Sequence, residues 1–135
     1  MVERTKAEGI EEFEGKVSEV IVEENEMDGK TTEQYHVSMT PQDAEILKNS
    51  KTGMFHEWLK IPPTATPESI PEGSVLDRFL QELEILDKSL KKATTHKEAL
   101  DWLKGKSFLF KKKKLGKAFG GYEAKEYWIP VKLID

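Results

Sequence analysis

The sequence predicts a mainly β domain of the α+β class, with five antiparallel strands folding back into a barrel and helices between the third and the fourth. Three observations carry this. Apolar and polar residues alternate in five separate stretches, the period of a half-buried strand. Two capping boxes mark helix starts, and both fall between the third and fourth stretch. At 135 residues, with no linker joining two cores, the chain fits one domain. A domain of that size buries roughly two thirds of its unfolded surface.

Residues 1–12 are polar and read as a flexible N-terminal segment, leaving 13–135 as the domain. The first strand is "FEGKVSEVIVEE" (13–24), with Phe13, Val17 and Ile21 on one side and a bulge where alternation breaks at Glu19 and Val20. Asp28 and Gly29 supply a hairpin turn. In the second strand (33–40), Tyr35, Val37 and Met39 face inward, opposite Gln34, His36, Ser38 and Thr40. Residues 41–53 could hold one helical turn before the third strand. The third strand (54–61) turns Phe55, Leu59 and Ile61 inward and Met54, His56, Trp58 and Lys60 outward.

Four prolines make 62–74 a stiff crossing. Ser74 and Asp77 then open a helix whose Leu76, Phe79, Leu80, Leu83 and Leu90 recur at helical spacing. Thr95 and Glu98 open a short second one (96–103), ended by Gly105. The last strands are 106–112 and 126–134. In the latter Tyr127, Ile129, Val131 and Leu133 take the inward parity, and Trp128, Pro130 and Lys132 the outward one.

Composition narrows the class. A hydrophobic fraction of 37 % supports a core, and 34 % charge indicates a densely solvated surface. Without cysteine there is no disulfide framework, thiolate metal site or cysteine nucleophile, and the expectation is a cytoplasmic protein. No apolar leader and no run of about 18 apolar residues are found, so no membrane association is expected. Charge is polarised: residues 1–103 hold 12 Lys and Arg against 22 Asp and Glu, and residues 104–135 hold 9 against 3. Abundant Lys and Glu also fit the solvated surface of a thermophile's protein. Arginines are only Arg4 and Arg78, whereas guanine reading uses arginine and phosphate contact is well served by lysine.

Three strands, a helical connection and two more strands is the order of the OB-fold. That barrel binds oligonucleotides or sugars on strands two and three and on the loops after strands one and four. With "LKGKSFLF" leading into strand four and "YWIPVKLI" closing the chain, residues 13–134 resemble the small OB-fold single-stranded-DNA-binding proteins, including those of archaea and phages. The resemblance implies a nucleic-acid partner and a place among replication or repair proteins. That family usually carries acid at the C-terminus. This chain ends "VKLID", so tail-borne partner recruitment is not implied.

Sequence-tolerant binding of a single strand needs cations along a groove and exposed rings for stacking. The connection between strands four and five (111–126) offers both: Lys111, Lys112, Lys113, Lys114, Lys117 and Lys125 as cations, and Phe119 and Tyr122 as rings. Gly116, Gly120 and Gly121 would let it move and close over a ligand. The plain alternative is that Phe119 or Tyr122 pins the loop and the lysines are solvated. A second group, His36, His56, Trp58 and Lys60, lies at outward parity on strands two and three. There the alternative is that the proline crossing or the first helix covers Trp58. Trp128 carries the same ambiguity. Trp102 reads as structural and His96 as a surface residue. A metal at His36 and His56 would need a third ligand that the sequence does not supply.

"GKS" (105–107) is not a phosphate-binding loop. Leu100 stands where that motif needs glycine, and a helix precedes it instead of following. No triad, metal box or nucleotide fingerprint is found. The expected function is binding of single-stranded nucleic acid, DNA over RNA, without enzymatic activity or cofactor. A protein-binding OB-fold adaptor is the rival.

Overall fold

The computed structural model of the chain describes residues 11–43, 45, 54–115 and 125–134. Expectations about residues 1–10, about 44 and 46–53 and about 116–124, with Lys117, Phe119, Tyr122 and the three loop glycines, lie outside that set. The elements are β1 (Glu12–Met27), β2 (Lys30–Pro41), β3 (Phe55–Ile61), helix α1 (Val75–Leu86), a 3-10 turn (Lys88–Lys92), helix α2 (His96–Asp101), β4 (Ser107–Lys114) and β5 (Glu126–Leu133). The strands form one antiparallel sheet in the order β3-β2-β1-β4-β5.

The hairpin between β1 and β2 closes at Asp28 and Gly29. Both take positive φ (54° and 76°), as a two-residue turn matching strand twist requires. The bulge expected in β1 falls at Ser18: Val17 pairs with Met39, and Glu19 pairs with Ser38. One extra residue inverts the parity beyond it. Val20 is therefore buried and Ile21 is 39 % exposed, correcting the expectation that Ile21 shares the face of Phe13 and Val17. The extra residue also leaves Val17 to extend the β1–β4 ladder, donating to the Lys106 carbonyl at 2.9 Å and accepting from the Gly105 amide at 2.8 Å.

Both helix starts follow the capping chemistry of their sequences. Ser74 accepts from the Asp77 amide (3.2 Å), and Asp77 accepts from the Gly73 amide (2.8 Å). Thr95 accepts from the Glu98 amide (3.2 Å), and Glu98 accepts from the Thr94 amide (3.2 Å). Each acidic side chain thus reaches the residue before the cap. Helix α1 buries Leu76, Phe79 and Leu83 and packs against β5 and β3. The core centres on Phe13, which stacks on Phe55 (4.4 Å between centroids) and Phe110 (5.1 Å) and meets Trp128 edge-on (4.8 Å).

A second irregularity, in the β4–β5 ladder, decides the last strand. Leu109 pairs with Lys132 but Phe110 pairs with Pro130, so Val131 is the extra residue. The shift turns Trp128 and Pro130 to the buried face of Phe110. Trp128 is 8 % exposed and belongs to the core, correcting its expected outward position, whereas Leu133 pairs with Phe108 on the expected face and is 41 % exposed at the end of the strand. Ile129, on the opposite face, is also fully buried. The strand is covered on both sides here because α1 lies against it.

The sheet is not closed. No ladder joins β3 to β5 among the described residues, and the physical reason is local. The Glu57 carboxylate of β3 accepts from the Trp128 amide of β5 at 3.0 Å and from the Trp58 amide of its own strand at 3.3 Å, taking the place of ladder acceptors. Two residues beyond Trp128 on the same edge, Pro130 has no N–H to offer.

Candidate nucleic-acid interface

The outward face of β1, β2 and β3 carries one organised cluster. Trp58 on β3 pairs with His36 on β2, and their rings stack at 4.8 Å and 22°. His56, two residues before Trp58 and so on the same side of β3, stacks on the indole at 5.6 Å and 24°. The indole Nε1–H reaches over β2 and donates to Glu23 Oε1 on β1 at 2.8 Å. One carboxylate thereby gathers three strands: Gln34 Nε2 donates to Glu23 Oε1 at 3.0 Å, and His36 Nδ1 lies 3.3 Å from Glu23 Oε2. His36 Nε2 and His56 Nδ1 are 2.8 Å apart.

The indole is thus pinned at its nitrogen and backed by imidazoles, yet Trp58 remains 40 % exposed. The placement of Trp58, His36, His56 and Lys60 on one outward face agrees with their sequence parity, and neither the proline crossing nor α1 buries Trp58. Burial alone would raise the Glu23 carboxyl, but hydrogen bonds from Gln34 and Trp58 and the neighbouring His36 hold it below the ordinary carboxylate range. Burial, and then the adjacent His36, hold the His56 imidazole low, with Glu23 pulling the other way.

The lysine run is arranged differently from the expected loop. Lys111 to Lys114 all belong to β4, so alternation sends neighbours to opposite faces. Lys111 pairs with Glu12 at 3.5 Å, and Lys113 pairs with Glu82 of α1 at 3.5 Å. Lys112 lies over the Trp128 ring at 5.2 Å, and Lys114 is exposed. Lys125, just before β5, sits 3.9 Å from Glu57 and over the Tyr127 ring at 4.8 Å. The run is therefore not one continuous basic strip. Through the sheet it is separated from Trp58 by β1 and β2. Across the open seam, Glu57 links Lys125 and the Trp128 backbone to the Trp58 backbone.

Three features were missed in the sequence. Glu57 occupies an inward position between Phe55 and Leu59 and is 5 % exposed. Burial pushes its carboxyl up, opposed by the Trp128 amide, Lys125 and the Trp58 amide. Its signal was a charged residue at an apolar parity. Glu23 had no signal, because its reach over two strands follows from register. His96 is not a simple surface residue. It binds the hydroxyl of the buried Tyr35 through Nδ1 and the Thr66 carbonyl through Nε2 (2.9 Å), tying α2 and the proline crossing to the core.

Among the described residues no group of three His, Asp or Glu converges as a metal site, and no helix is long and apolar enough to cross a membrane. Compared with known proteins, the chain matches no family model, no curated protein and no solved structure.

Proposed function

We propose that this chain binds single-stranded nucleic acid on an OB-like sheet, stacking bases on Trp58 and taking phosphate charge from lysines at the rim. The observation that carries the reading is the indole held flat and open: fixed at Nε1 by Glu23, supported by His36, exposed on its free side. A ring so prepared loses little freedom when a base settles on it, and base–aromatic stacking contributes about 1–3 kcal/mol per base. Lys60 on the same face and Lys125, which Glu57 links to the Trp58 backbone across the seam, are exposed cations. The strand order is that of an OB-fold with its β3–β5 seam open, which is the fold we assign to it.

A second reading, a protein-binding adaptor, has one observation in its favour. Ile21, opposite His36 on the same face, is 39 % exposed and extends the aromatic cluster into an apolar patch. A fluorescence titration with oligo-dT and oligo-U at two salt concentrations separates the two. Binding of nucleic acid should quench tryptophan emission and weaken with salt along a slope of about 0.7 per neutralised phosphate. Trp58→Ala should lose about 5- to 150-fold in affinity. Absence of quenching by either oligomer, or full affinity in Trp58→Ala, refutes the nucleic-acid reading.

A further inference from the structure

His36 and His56 face each other through ring nitrogens at 2.8 Å, a distance that needs a proton on one nitrogen and a lone pair on the other. An imidazolium has two N–H donors and no acceptor. The contact therefore survives with both rings neutral or with one charged, and it cannot survive with both charged. We propose that this pair is a proton gate behind Trp58: closed with one extra proton or none, opened by the second, so that the backing of the indole changes at mildly acidic pH.

The surroundings determine which ring moves. His36 is held at Nδ1 by Glu23, whose other oxygen is taken by Trp58 and Gln34. Among the described residues, His56 has at the same nitrogen His36 and, at 3.4 Å, the Ser38 hydroxyl. The second proton thus swings His56 away from the stack. Charged groups on this face are Glu23 and Glu19 from β1, with Lys16 and Glu14 at its far end, Lys30 at the hairpin end of β2, and Lys60 from β3; the remaining β2 positions on this face besides His36, Thr32, Gln34, Ser38 and Thr40, are neutral. Glu57 lies on the buried side of β3. Burial, and then the neighbouring His36, resist a proton on His56, with Glu23 pulling the other way.

The effect on binding rests on the nucleic-acid reading, while the gate itself does not. An imidazolium released beside the indole meets the phosphate of a stacked nucleotide, so binding takes up at most one proton. Affinity then rises by up to about tenfold per pH unit as pH falls toward the transition of the free protein, and levels off below it.

The test follows the indole Nε1–H and imidazole resonances of the ligand-free, full-length protein from about pH 8 to pH 5, the interval in which histidine titrates. Trp102 and Trp128 serve as internal references for the fold. The Trp58 signal should shift together with His56, and the shift should vanish in His56→Asn while Trp128 stays in place. Should His56→Asn disturb Trp128, His56→Gln replaces it. A Trp58 signal that stays still, or one that shifts equally without His56, overturns the gate. In the binding arm, oligo-dT affinity should gain its acid dependence from His56; identical pH profiles in wild type and His56→Asn refute the coupling. A Trp58 shift that depends on His56 in a protein that binds no oligonucleotide upholds the gate and refutes the nucleic-acid reading.

Discussion

Glu57 offers the sharpest test of how the seam is held. Its carboxylate is buried between β3 and β5, with the Trp128 amide at 3.0 Å, the Trp58 amide at 3.3 Å and Lys125 at 3.9 Å. Burial raises its pKa above the ordinary value of 4.5, so the folded chain holds this proton more tightly than the unfolded chain does. The stability it contributes is therefore complete below about pH 4.5 and is lost as pH rises through the folded-state pKa. Each unit of upward shift corresponds to about 1.4 kcal/mol.

Glu57→Gln cannot titrate. It keeps one oxygen for the Trp128 amide, but it turns an NH2 toward the Trp58 amide and Lys125, at a cost of about 1–2 kcal/mol. The variant should be less stable than wild type near pH 4 and should close that gap, or overtake, by pH 8. Glu57→Leu removes the acceptor altogether. The buried Trp128 N–H is left unpaired, about 1–3 kcal/mol in the unfavourable direction. Urea unfolding followed by tryptophan fluorescence at several pH values gives all three stabilities. A Glu57→Gln difference that is flat or widens with pH would show that Glu57 is not a buried acid with a raised pKa.

Trp128→Ala should cost about 3–5 kcal/mol in thermal or urea unfolding, as for a core ring. Trp58→Ala should cost about 1 kcal/mol, the worth of one aromatic pair, because its exposed face gives up little burial; equal losses would contradict their assignments. Gly15→Ala should destabilise by about 1–3 kcal/mol, since a Cβ there would stand 2.7 Å from Phe13 Cε2 and 3.0 Å from the Thr40 carbonyl; an unchanged melting temperature would refute that packing. Burial, aided by Asp101 and Glu33, pushes Tyr35 up to about 12, so in an alkaline absorbance titration this phenol should ionise about two units above an ordinary tyrosine. Its ionisation near pH 10 would rule out the buried site.

Much of the architecture was written locally. Alternation of period two located five strands, Asp28-Gly29 the hairpin, and Ser74 with Asp77 and Thr95 with Glu98 the helix starts, because each depends on residues within one turn or one strand. The outward position of Trp58 was legible for the same reason: no irregularity interrupts β3. Ile21, Trp128 and Pro130 were misplaced because parity holds along a strand only until an extra residue is inserted. Where Ser18 and Val131 bulge out is set by the partner strands. The lysines of β4 read as one basic run in sequence, but strand alternation divides them and Glu12 and Glu82 neutralise two of them. The contacts of Glu57 and Glu23 became visible only once β3, β5 and β1 were side by side. What a side chain meets across a sheet depends on register, and register is a property of strands brought together.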